Sequence, residues 1–206
     1  MSNLLQLNTS LFSTGGQSSR LADRLVARWR ASHPGSQVVV RDLARDPVPH
    51  LTAERFQAFT AKPGERSPAQ QAVVEHSDAL MDELKRADVI VLGLPMYNFG
   101  VPSTLKAYFD HVARAGVTFR YTEKGSVGLL TGKKAYVFAT RGGHYNGTPA
   151  DNQTGFVRQF LAFLGIEDVE FVYAEGLAIS AATKQAGLAR AERTIEHLIT
   201  PELAAA

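Results

Sequence analysis

The chain has 206 residues, 45% of them hydrophobic, with a formal net charge of +2 and no cysteine. That length suits one domain, and the absence of cysteine excludes disulfides, zinc-thiolate sites and cysteine nucleophiles. Lys and Arg are scattered rather than clustered, which argues against nucleic acid as the main partner. No apolar run approaches the roughly 20 residues that a membrane-spanning helix needs.

The N-terminus "MSNLLQLNTS" has no basic segment followed by an apolar signal core, so a cytoplasmic protein is expected. Its run "NLLQLNTS" reads as a first strand. Leu21, Leu25, Val26 and Trp29 then fall on one helical stripe from Ser18 to Ala31, closed by Pro34 and Gly35. A second strand, "SQVVVRDL", follows. The polar, proline-rich stretch after it holds a short candidate helix, "LTAERFQAFTA". From Ser67 to Arg86 a longer helix carries Val73, Val74, Leu80, Met81 and Leu84 on its apolar side.

The third strand, "DVIVLGLP", leads into a helix from about Val101 to Ala113, in which Pro102 suits the first turn. The connection "VTFRYTEKGSVGLLTGKK" alternates aromatic and polar residues. It reads as a hairpin-like excursion around residues 117–133. The fourth and fifth strands are "KAYVFATR" and "VEFVYAEGL". Between them Asp151 caps a helix that stops at Gly165. A last helix spans roughly Ala182 to Ile199.

Apolar strands alternating with amphipathic helices imply parallel βαβ units with right-handed crossovers. Five strands favour an α/β flavodoxin-like, doubly wound sheet in the order 2-1-3-4-5, with helices on both faces. One domain covering residues 1–206 is expected. Ligands of such sheets bind outside the carboxyl ends of the strands, at the switch point. The loops after strands one, three and four therefore matter most.

The first loop, "NTSLFSTGGQSSRL", is rich in Ser, Thr and Gly and runs into a helix start, which suits an anion. It matches neither the Walker pattern nor the dinucleotide fingerprint, and it has no lysine for a polyphosphate. A single phosphate fits it, although a plain capped turn would read the same way. The second loop places Met96, Tyr97, Asn98 and Phe99 in a row. Such a wall suits a planar heterocycle, with the Asn98 carboxamide and backbone amides at its edge. Aromatics at a strand end also serve simply to cover a core edge.

The third loop, "ATRGGHY", has Gly142 and Gly143, whose N–H groups suit an electron-rich carbonyl edge. His144 follows, though a lone histidine is more often structural than catalytic. His33, His50, His76, His111 and His197 form no metal-like H-x-x-x-H pair, so no metal is expected. One phosphate grip and two planar-ring contacts at one sheet end describe FMN.

The stretches "PMYNFGVPSTLKAYFDHV" and "GVTFRYTEKGSVGLLTGKKAYVFATRGGHY" resemble the FMN-dependent NADH-azoreductase family, and nearly the whole chain shares the likeness. The resemblance implies a homodimeric enzyme that passes a hydride from NADH or NADPH to FMN and then reduces quinones or azo dyes in ping-pong fashion. It implies phosphate-side contacts at Ser10, Gly16, Gln17 and Ser18. It implies ring contacts at Met96, Tyr97, Asn98, Phe99, Thr140, Arg141, Gly142 and Gly143. Asn98 and His144 are the catalytic candidates, and Phe119, Tyr121 and Phe163 the candidates for the acceptor pocket. Two positions depart from the family pattern: Gly16 and Thr140 stand where serine is usual. Three rivals are an electron carrier without NAD(P)H turnover, a hydrolase using Ser10 and His144, and a flavin-dependent scaffold. Carriers of the first kind are usually strongly acidic, and 20 Asp plus Glu against 22 Lys plus Arg is not. The second lacks the G-x-S-x-G nucleophile elbow.

Overall fold

A computed structural model describes residues 2–198. Its central sheet contains β1 (Leu4–Asn8), β2 (Val38–Asp42), β3 (Val89–Pro95), β6 (Lys134–Thr140) and β7 (Asp168–Ala174). These five strands are all parallel, in the order β2-β1-β3-β6-β7. The two remaining strands, β4 (Phe119–Thr122) and β5 (Gly125–Gly128), pair antiparallel as a separate hairpin.

The helices divide between the two faces because right-handed crossovers run one way along the sheet from β1 to β2 and the other way from β2 through β7. On one face α1 (Gln17–Ser32) and α6 (Ala181–Leu198) bury Leu21, Leu25, Trp29, Ala191 and Ile195 against Val89, Val91, Phe138 and Val172. On the other, α3 (Pro68–Arg86), α4 (Ser103–Val112) and α5 (Asn152–Leu164) bury Leu80, Leu84, Leu105, Val157 and Leu161 against Leu5, Leu7, Ile90, Leu92 and Val137. Successive side chains of β1 and β3 thus feed opposite cores, so β3 is apolar throughout and β1 departs from this only at the buried Gln6 and Asn8. The short α2 (Ala53–Thr60) packs on α3.

Local chemistry sets the helix ends. Ser67 Oγ accepts from the Gln70 amide while the Gln70 side chain accepts from the Ser67 amide, a complete capping box for α3. Asp151 caps α5 by accepting from the Thr154 amide, and Gly165 ends it in the left-handed region at φ 99°.

Three expectations need adjustment. Pro102 stands at the N-cap of α4, one residue before the first turn expected for it, because its ψ of 137° is not helical. Not every strand is covered on both faces: β2 is an edge strand, and Val40 is 51% exposed. The last helix starts at Ala181, and its expected end at Ile199 lies outside the described residues. Among the described residues no helix is long and apolar enough to cross a membrane.

Candidate functional site

Three loops leave the carboxyl ends of β1, β3 and β6. The first is tied down on both sides. Thr9 Oγ1 donates to the Gly93 carbonyl at 2.7 Å, and the Ser13 hydroxyl bonds to the Asp42 carboxylate at the end of β2. Ser10 is buried, and its Oγ accepts from the Phe12 amide at 3.2 Å. Gly16 is required here: a Cβ on it would stand 2.2 Å from Ser10 Oγ. The side chain of Ser10 therefore fills the space that a serine at position 16 would need.

α1 begins directly after Gly16 with no side-chain cap. Its first amides are left without helical acceptors, and the buried hydroxyls of Ser18 and Ser19 have no hydrogen-bond partner. The helix start can come this close to the sheet because β3 carries Gly93; a Cβ there would lie 3.3 Å from the Ser18 carbonyl. Orphaned amides, a free hydroxyl and the positive end of a 16-residue helix make a seat for an anion.

The second loop is a tight turn. The Tyr97 amide donates to the Gly100 carbonyl at 3.2 Å, and the Gly100 amide returns a bond to Tyr97 at 3.0 Å. The two central residues, Asn98 and Phe99, both have positive φ, 50° and 63°. This is type I′ geometry, which ordinarily takes Asn-Gly. Asparagine tolerates the left-handed region, whereas phenylalanine there costs on the order of 1–2 kcal/mol. Gln153, fully buried at the start of α5, offsets the strain by clasping both ends of the loop. Its Nε2 donates to the carbonyls of Pro95 and Gly100, each at 2.9 Å. Phe99 is left 52% exposed.

The third loop follows β6. Arg141 is buried, its guanidinium bonded to Asp151 at 2.7 and 3.0 Å, to Glu175 at 3.2 Å and to Thr154 at 3.1 Å, over the ring of Tyr173. Burial pushes the Asp151 carboxyl up, but its bonds to Arg141 and Thr154 outweigh that and hold it below the usual range. The Arg141 side chain is thus committed to an internal ion cluster. Gly142 and Gly143 follow, and their N–H groups have no acceptor among the described residues. His144 is exposed, with its ring edge against Gly176.

The loops converge. The Tyr97 hydroxyl lies 3.4 Å from Ser10 Oγ and accepts from the Leu11 amide at 3.2 Å. The Met96 amide donates to the Thr140 carbonyl at 2.9 Å. The rings of Phe99 and Tyr145 meet edge to face, with centroids 5.6 Å apart. Ser10, Gly16, Gln17, Ser18, Met96–Phe99, Thr140 and the Gly142–His144 backbone therefore gather at one end of the sheet.

Phe119, Tyr121 and Phe163 do not join them. They cluster with one another, Phe119 lying 4.2 Å from Phe163 and 5.3 Å from Tyr121 between ring centroids. Phe163 ends α5, ten residues beyond Gln153 and so about 15 Å along the helix, at the amino end of the strands. There Phe119 and Tyr121 border a cavity of about 430 Å³ with Phe56, Phe59 and Arg114. Gln153 and Glu175, which hold the second and third loops, carry no local sequence signal, since each acts across the fold.

Fold and loops define a flavodoxin-like α/β protein with a ligand seat at the carboxyl end of its sheet. The flavodoxin-like fold family matches residues 2–199. A protein of Cellvibrio japonicus named FMN-dependent NADH:quinone oxidoreductase is 52% identical over 199 residues, covering 97% of this chain and 99% of that one. One of the same name from Azotobacter vinelandii is 49% identical over 198 residues, covering 96% and 100%. An FMN-dependent NADH-azoreductase of Bacillus anthracis, solved in complex with FMN, superimposes with a TM-score of 0.86 at 27% identity, covering 97% and 100%. The chain belongs to the flavodoxin-like family and, within it, to the group of FMN-dependent NADH:quinone oxidoreductases and NADH-azoreductases.

Proposed function

We propose that this protein is a cytoplasmic, homodimeric flavoenzyme that reduces quinones and azo compounds with NADH or NADPH. Residues 1–206 would form a single FMN-binding domain in the flavodoxin order 2-1-3-4-5. The observation that carries the reading is the meeting of three loops, remote in sequence, around orphaned donors.

The residues fit FMN. The phosphate would sit on the amides of Gln17 and Ser18 and on the free hydroxyl of Ser18, facing the start of α1. Gly16 brings no hydroxyl, but Ser10 Oγ stands in the space beside it. The ring would rest against Met96–Phe99, with Asn98 at its edge, and the Gly142 and Gly143 amides would face its electron-rich carbonyl side. Thr140 and Arg141 would contribute through position and backbone. Bound there, FMN would supply two-electron redox chemistry between the nicotinamide donor and the acceptor.

The protein's own part is to orient, to exclude water and to neutralise charge. The two glycine amides stabilise negative charge that arrives at their side of the site. His144, exposed beside them, would donate a proton. Phe119, Tyr121 and Phe163 lie at the far end of the same chain, so an acceptor pocket that uses them takes them from a second copy. The exposed hairpin residues Tyr121, Val127 and Leu129 suit such a contact.

The purified protein is expected to be yellow, to bleach under anaerobic NADH and to oxidise NADH continuously with menadione. Colourless folded protein that rejects added FMN would sink the reading. Bleaching without turnover would leave an electron carrier instead.

A further inference from the structure

The segment Glu175–Ala178, between β7 and α6, takes every carbonyl of the glycine loop. The Leu177 amide donates to Arg141 O at 3.1 Å, Ala178 to Gly142 O at 3.0 Å and Gly176 to Gly143 O at 3.0 Å. A trans peptide holds the carbonyl of one residue antiparallel to the N–H of the next, and there is no cis peptide among the described residues. The amides of Gly142, Gly143 and His144 therefore face away from this segment as a group.

Glu175 fixes the far end of the same loop. Its Oε1 accepts from the amides of Tyr145 and Asn146, both at 2.9 Å, and from Arg141 Nη1 at 3.2 Å. The side chains of Arg141, Asp151 and Glu175 are 0%, 7% and 11% exposed. One guanidinium thus meets two carboxylates in a shielded cluster. One negative charge is left over, directly behind amides that are turned outward.

We propose that Glu175 is a positioning residue with an electrostatic role: it aims the Gly142–His144 amides at bound FMN and, through the uncompensated charge, keeps the flavin's reduction potential low. The proposal rests on the FMN reading above. The two effects oppose each other. The amides favour negative charge on the reduced flavin, and the carboxylate behind them disfavours it. A low potential suits a flavin that must hand its electrons on.

The test uses the full chain and two variants. Glu175→Gln keeps an oxygen to accept from Tyr145 and Asn146 but removes the charge. Glu175→Leu removes both. The potential of bound FMN is measured by dye equilibration at pH 7, and FMN affinity by titrating apoprotein. Glu175→Gln is expected to move the potential to less negative values, with FMN affinity changed by less than about threefold. Glu175→Leu is expected to weaken FMN binding by about tenfold or more, which by affinity arithmetic is about 1.4 kcal/mol. An unchanged or more negative potential in Glu175→Gln overturns the proposal. If that variant does not fold, Asp151→Asn decides: it removes the other carboxylate, retains a capping oxygen for α5 and must shift the potential in the same direction. Wild-type protein that binds no FMN overturns the functional reading and this proposal with it. Wild-type protein that binds FMN, with variants whose potential does not move, overturns this proposal alone.

Discussion

Ser10 Oγ and Tyr97 Oη stand 3.4 Å apart although 87 residues separate them along the chain. The same phenol accepts from the Leu11 amide, so it closes the loop after β1 onto the loop after β3. Tyr97→Phe keeps the ring and deletes the bond. One hydrogen bond of this kind contributes about 1 kcal/mol, so FMN affinity is expected to fall about fivefold. Titration of apoprotein by flavin fluorescence quenching measures it. Unchanged affinity would show that the two loops hold their positions independently.

Position 16 tests the same contact from the other side. Gly16→Ser puts a Cβ within 2.2 Å of Ser10 Oγ and 2.5 Å of its Cβ. Overpacking of that kind costs about 1–3 kcal/mol, and FMN binding should weaken with stability. The double variant Ser10→Gly, Gly16→Ser removes the clash and returns a hydroxyl to the helix start. It is expected to recover FMN affinity beyond the sum of the single effects, as a double-mutant cycle would reveal.

Gln153 holds a strained turn by two carbonyls, those of Pro95 and Gly100. Gln153→Leu abandons both, at about 1–3 kcal/mol for each buried group left unpaired. The urea midpoint should fall, and amide exchange should quicken at Tyr97 and Gly100, whose mutual bonds define the turn. If exchange at those two amides stays as slow as before, the turn is fixed by other contacts.

His111 predicts a pH dependence away from the site. It is fully buried between α3 and α4, its Nδ1 bonded to the Ala107 carbonyl at 2.9 Å and its Nε2 without a partner. Burial pushes its pKa below the ordinary value of about 6.5, only partly offset by that carbonyl, with Arg55 and His76 adding repulsion. A histidine whose folded pKa is depressed contributes stability above about pH 6.5, and that stability is lost as pH falls toward the folded value. The wild-type urea midpoint should therefore drop between pH 7 and pH 5. His111→Leu should flatten the dependence in that window. An equal slope in both proteins would assign it to other groups.

Arg141 is the cation of the buried cluster. Arg141→Met leaves Asp151 and Glu175 without their partner, and removing one side of a buried pair costs about 3–5 kcal/mol. The protein is expected to unfold at markedly lower urea, with Arg141→Lys intermediate because an ammonium cannot span both carboxylates as a fork does.

The sequence by itself determined the elements and their alternation, because apolar periodicity, caps and glycine stops act within a few residues. "DVIVLGLP" could only be a buried strand, and Asp151 and Gly165 bracket a helix whatever surrounds it. It also marked the three loops, since parallel topology puts them at one sheet end. Only the tertiary structure decided which side chains within those loops are free. The guanidinium of Arg141, for instance, is held by Asp151 and Glu175, which stand 10 and 34 residues away, so only its backbone is left to face the loop's ligand side. Within one chain the acceptor-pocket candidates Phe119, Tyr121 and Phe163 lie a helix length from those loops. Hydrogen bonds and charges act through space, so the partners that commit or release a polar group are set by how the layers pack and leave no period in the chain.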